Sequence, residues 1–163
     1  MGWTDQRVCT QETRGRTLMI RTIVAISALA VVVTAALAQE DPIKARQALM
    51  KSNGQQAALG AKMVKGEEPF DLAKAKAIFV EIENVATKAP ALFPESSKTG
   101  GDTAADPKIW SNMDDFKAMF VKLGADAKAA QGSVTDLESF KAAFGNVGKD
   151  CGGCHQTYRV KKS

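Results

Sequence analysis

Along residues 39–163 apolar side chains recur at steps of three and four, the period of helices that turn one face inward. Ile43, Met50, Ala57 and Val64 stand at seven-residue steps and predict the buried stripe of a first helix. Asp41-Pro42 opens that helix, with Asp as N-cap and Pro at the first helical position, and Gly66 closes it as a left-handed cap. Asp71 caps a second helix with Ile78, Ile82 and Val85 inside and Pro90 and Pro94 as its stops. Asp106-Pro107 repeats the opening device for a third, whose inner face carries Trp110, Met113 and Phe120 and which ends at Gly132-Ser133. Thr135-Asp136-Leu137-Glu138 reads as a capping box, Thr135 and Glu138 each satisfying a backbone donor. The last helix puts Phe140, Phe144, Val147, Cys151, Cys154, His155 and Tyr158 on or near its inner side. No segment alternates β-branched residues, so no strand is predicted. Residues 95–105, rich in Ser, Thr, Gly and Asp, form the longest link. The expectation is an all-α, antiparallel up-down-up-down four-helix bundle.

Ahead of the bundle lies a different pattern. Arg14, Arg16 and Arg21 approach an apolar run from Ile23 to Ala36, and Ala36-Leu37-Ala38 supplies a small-x-small cleavage site. Residues 1–38 therefore read as an export signal rather than an anchor, the run being short against a bilayer span of about 20 residues. Met19-Ile20-Arg21 would make an ordinary signal start, so Met19 is the expected initiator, with residues 1–18 upstream of it. Cleavage removes four arginines and two acids from a total of 22 basic and 18 acidic side chains, leaving 18 against 16. That near balance, with charges interspersed along helices, gives no reason to expect nucleic acid. Lys117, Lys122, Lys128, Lys161 and Lys162 could meet an acidic partner, but solvated lysines are the simpler reading.

The chemistry is concentrated in Cys151-Gly152-Gly153-Cys154-His155. Cys154 lies three residues and His155 four residues after Cys151, so one helix turn presents two thiols and an imidazole together. This is the C-x-x-C-H pattern of c-type haem attachment: thioethers from Cys151 and Cys154, with His155 as an axial iron ligand. Glycines between the thiols let a macrocycle approach the backbone. A redox disulfide would want a βαβ setting and a zinc site further ligands, yet His155 is the only histidine and the remaining thiol, Cys9, lies in the export segment. One covalent haem c is the expected cofactor.

Filling the other iron face falls to methionine, a soft ligand that favours ferrous iron. Residues 39–163 offer Met50, Met63, Met113 and Met119. In an up-down-up-down bundle the start of the first helix lies beside the end of the last. Met50 is roughly 13 Å from its helix start and His155 roughly 8 Å from its helix end, whereas Met63 falls about 20 Å further along. Met113 competes, because the third helix runs parallel to the first. Arg46, one turn before Met50, and Arg159, one turn after His155, are the only two arginines of residues 39–163 and belong at the same end, where haem propionates would emerge. Two solvated surface arginines are the plainer alternative.

The run Cys151 to Arg159 on a four-helix pattern resembles the class II c-type cytochromes, the cytochrome c′ family. The likeness covers essentially all of residues 39–163. Leu49-Met50-Lys51-Ser52-Asn53-Gly54, Lys65-Gly66-Glu67-Glu68-Pro69-Phe70-Asp71, Leu92-Phe93-Pro94 and Pro107-Lys108-Ile109-Trp110 are similar to its low-spin, methionine-ligated branch, the cytochrome c-556 group. That resemblance implies thioethers at Cys151 and Cys154, His155 as fifth ligand and Met50 as sixth. It also implies dimers in some relatives, leaving monomer and homodimer both open here.

The expected function is single-electron transfer between periplasmic redox proteins, with no stable membrane insertion after signal cleavage. No acid, base or nucleophile constellation accompanies the motif, so no enzyme is expected; Glu67-Glu68 and Asp114-Asp115 are adjacent pairs that diverge on a helix and read as solvated charge. Without a second histidine a haem peroxidase lacks its distal base. The competing function is diatomic gas binding at a five-coordinate iron, as in the high-spin branch of the family.

Overall fold

The computed structural model describes residues 41–161, within a compact unit Glu40–Ser163. The expected export signal and the expected start at Met19 lie outside the described residues. Among the described residues five helices follow in order: α1 Pro42–Lys65, α2 Leu72–Lys88, the single turn α3 Lys108–Ser111, α4 Met113–Ser133 and α5 Leu137–Tyr158. Short 3-10 turns at Ala89–Leu92 and Glu95–Ser97 occupy the long link. The four long helices form a ring in which α1 packs on α2, α2 on α4, α4 on α5 and α5 on α1. The α2–α4 and α4–α5 seams are extensive, and the α1–α5 seam is sparse.

Three of the four long helices start at a side-chain cap. Asp41 accepts from the Ile43 N–H at 2.9 Å, and Gly66 takes the left-handed conformation (φ 77°) that ends α1. Asp71 caps α2 through the Lys74 N–H at 2.9 Å. At Pro90 the chain tightens into a 3-10 turn rather than stopping.

Four expectations need correction. The third helix is split: Asn112 leaves the helical region (φ −132°, ψ 43°), and its side chain donates to the Lys108 carbonyl at 3.0 Å, closing α3 after one turn. Phe116, Phe120 and Leu123 are the large buried side chains of α4, while Trp110 and Met113 are only partly buried. The capping box before α5 sits one residue later than expected. Asp136 accepts from the Ser139 N–H at 2.8 Å, and the Ser139 hydroxyl accepts from the Asp136 N–H at 3.0 Å. On α1, Ala57 is exposed, and the buried stripe runs through Ile43, Arg46, Gly60 and Met63.

The core is aromatic at both ends. Phe116 meets Phe93, Phe120 and Tyr158 edge-on at centroid distances of 4.7, 5.1 and 5.3 Å. Phe140 contacts Phe70, Phe79 and Phe144 at the other end. No strand occurs among the described residues; a lone antiparallel bridge joins Ala105 to Arg159. Its bonds, Asp106 N–H to Tyr158 O and Val160 N–H to Ala104 O, both 2.9 Å, moor the long link to the end of α5.

Candidate haem site

Contacts on two seams set the level of α5 against its neighbours. A Cβ at Gly60 would collide with the Phe144 ring, so α1 and α5 are in contact there. The link that packs Gly101 on Ile43, at the start of α1, also bridges to Arg159, so the two helices run antiparallel. Ten residues from Gly60 back to Met50 and ten from Phe144 on to Cys154 each span about 15 Å. Met50 therefore stands level with Cys154 and His155. On the other seam, Asp115 bonds Tyr158 and Lys122 bonds Asp150. That register puts Met113 past the end of α5 and Met119 level with Gly153.

Cys151 and Cys154 are half-buried on the same stripe as Phe140, Phe144, Val147 and Tyr158. Burial raises the pKa of Cys151, helped by the negative charge of Asp150. Cys154 is pushed up to about 11 by burial, then by Cys151 and Asp115. His155 is exposed on the neighbouring face. Partial desolvation first, and the positive charge of Arg159 second, lower its pKa and favour the neutral imidazole that iron requires. Gly148, Gly152 and Arg159 share that face, at steps of four, three and four around His155. A Cβ at Gly148, Gly152 or Gly153 would meet nothing within 4 Å, so α5 is bare where a flat macrocycle would lie. Donor types, spacing and bare backbone all fit haem c. Among the described residues no group of three His, Cys, Asp or Glu could hold a metal ion, which gives a zinc site no support.

The methionines separate by burial. Met63 is 1 % exposed and locked in the core, whereas Met50, Met113 and Met119 are partly buried at its margin. The two arginines separate as well. Arg46 is 5 % exposed rather than solvated. Its Nη1 donates to Leu92 O at 3.1 Å and Ser97 Oγ at 2.8 Å; its Nη2 donates to Ser97 O at 3.1 Å and Thr103 Oγ1 at 2.7 Å. The guanidinium also stacks over Phe93, 4.7 Å from the ring centroid. Burial lowers its pKa, partly opposed by Asp41. Arg159 is exposed and lies close enough to His155 to shift it.

Sequence reasoning missed two polar latches at this end. Tyr158, 5 % exposed, donates to Asp115 Oδ2 at 2.6 Å, so Asp115 is not merely solvated charge. Lys122 bridges Asp126 at 2.7 Å and Asp150 at 2.5 Å, so it is not a free lysine for a partner. Two surface grooves of about 500 Å³ lie between α4 and α5 and between α2 and α4; neither is lined by Cys151, Cys154, His155 or Met50.

The chain matches the family model described as Cytochrome C′ over residues 41–159. It is 45 % identical to a cytochrome c′ of Rhodopseudomonas palustris over 128 residues, covering 78 % of this chain and 88 % of that one. It is 40 % identical to a cytochrome c-556 of Agrobacterium fabrum over 146 residues, covering 89 % and 99 %. In three dimensions it is similar to the cytochrome c′ of Rhodopseudomonas palustris, with a TM-score of 0.74 and 46 % identity over 77 % of this chain and all of that one. The match takes in every described helix and the thiol pair, and Cys151 and Cys154 stand where haem c is joined: this chain belongs to the cytochrome c′ family.

Proposed function

We propose that this member of a family of electron carriers and gas-binding haem proteins is a periplasmic single-electron carrier whose haem c has His155 and Met50 as axial ligands. Met50 carries this reading, being half-buried on α1 and level with Cys154 and His155 by the Gly60–Phe144 register. Met119 is also level, but α4 is latched to α5 on both sides of it, at Asp115–Tyr158 and Lys122–Asp150, whereas the α1–α5 seam is sparse.

When bound, haem c supplies a one-electron iron couple. The chain's residues hold and tune that couple. Cys151 and Cys154 fix the macrocycle edge to α5, and the neutral imidazole of His155 offers its lone pair. A thioether at Met50 would close the other face, so that no substrate site remains and little rearranges with charge. Arg159 has a guanidinium ready for a propionate. Arg46 keeps only its Nε–H beyond the four bonds to the link, and acts on a propionate mainly through its charge. Among the described residues no helix is long and apolar enough to cross a membrane.

The second reading is gas binding at a five-coordinate iron, favoured by the 45 % identity to a protein named cytochrome c′. Met50→Ala decides between them. A carrier should become high-spin, drop in reduction potential and bind carbon monoxide readily. An unchanged spectrum would move the sixth ligand to Met113 or Met119, and a wild type already high-spin would favour the gas binder.

A further inference from the structure

Each thiol of the haem motif has a carboxylate beside it, and the two are treated differently. Asp150 lies against Cys151 and is matched by Lys122, whose ammonium is 2.5 Å from it. Asp115 accepts a hydrogen bond at 2.6 Å from the neutral hydroxyl of Tyr158, one turn beyond Cys154 on α5, and its charge reaches Cys154. Among the described residues no Lys or Arg forms an ion pair with Asp115. Its charge is thus held in place without being neutralised.

Tyr158 is well suited to do the holding. It is 5 % exposed, packs edge-on against Phe116 at 5.3 Å, and sits one turn beyond Cys154 on the same stripe of α5. Its backbone carbonyl accepts from the Asp106 N–H, which fixes the same residue from the other side. Its bond to Asp115, followed by burial, pushes the phenol up to about 12, so it remains a donor throughout the neutral range.

We infer that Asp115 is a fixed negative charge at the thioether edge of the haem that lowers its reduction potential, and that Tyr158 is the residue that positions it. A negative charge there stabilises the ferric form, which carries one more positive charge than the ferrous form. The inference rests on haem attachment at Cys154 and is independent of whether Met50 binds iron.

The experiment is a spectroelectrochemical titration of the holoprotein and four variants at low ionic strength. Asp115→Asn keeps an acceptor for Tyr158 and removes the charge, so its potential should shift upward. Asp114→Asn makes the same change in net charge at the neighbouring residue, which does not bond Tyr158, and should shift it much less. Asp115→Glu should return the potential toward wild type. Tyr158→Phe releases the carboxylate toward solvent and should give an upward shift smaller than that of Asp115→Asn. Added salt should shrink the Asp115→Asn difference, because the carboxylate is partly exposed. Equal shifts at Asp114 and Asp115, no shift at Asp115, or a downward shift in Tyr158→Phe would each overturn the inference. Absorbance of the same samples reports haem attachment and spin state, so failure of the Met50 reading is seen separately.

Discussion

Arg46 gives four N–H groups to three residues of one link, Leu92, Ser97 and Thr103, from a position buried on α1. Removing it would leave those acceptors facing apolar surface, including the Phe93 and Trp110 rings. Arg46→Leu should therefore destabilise the holoprotein by about 2 kcal/mol in denaturant titrations, the scale of a buried charge-assisted bond. It should also make residues 92–103 more open to protease. Arg46→Lys should recover only part of the loss, since an ammonium cannot reproduce the planar fork. Equal stability and protease resistance in the Leu variant would show that the link is held by other contacts. The sequence put Arg46 at the same end of the bundle as Arg159, but its partners lie 46 to 57 positions away, beyond the reach of local spacing.

At the scale of elements, register depends on small residues that a hydrophobic pattern does not score. Gly60 lets α1 and α5 touch, and any Cβ there strikes the Phe144 ring. Gly60→Ala should cost about 1–3 kcal/mol through overpacking, despite the gain in helix propensity; a stabilised variant would mean that the ring turns away at little cost. The capping box before α5 makes a prediction in pH. Backbone and side-chain bonds from Ser139 hold the Asp136 carboxylate below its ordinary range. A depressed folded pKa adds stability above the unfolded value, and that stability is lost as pH falls through the folded value. Asp136→Asn caps without a charge, so wild type should lose thermal stability against it below about pH 4 and run parallel to it above about pH 5. Parallel curves throughout would refute the cap's electrostatic share. Helix existence was legible because each apolar face repeats locally. Details were not: both Thr135/Glu138 and Asp136/Ser139 have box spacing, and the buried face of α1 contains Arg46 and Gly60, which look polar or neutral to a periodicity count.

For the whole molecule, the candidate site gathers at one end of the bundle, and three separate parts of the chain converge on it. The start of α1 brings Arg46 and Met50, the start of α4 brings Asp115, and the end of α5 brings both thiols, His155, Tyr158 and Arg159. The link from Ala89 to Pro107 crosses the same end and is moored to Arg159 by the Ala105 bridge. The haem motif could be read from sequence because five consecutive residues contain it. Its electrostatic surroundings could not, because Asp115 and Tyr158 are 43 positions apart. The absorption spectrum of the purified holoprotein in both oxidation states tests the carrier reading most directly. Two-ligand coordination predicts six-coordinate low-spin iron in each state, with a sulfur-to-iron charge-transfer band in the ferric form that disappears in Met50→Ala. A five-coordinate high-spin spectrum of the wild type would contradict it.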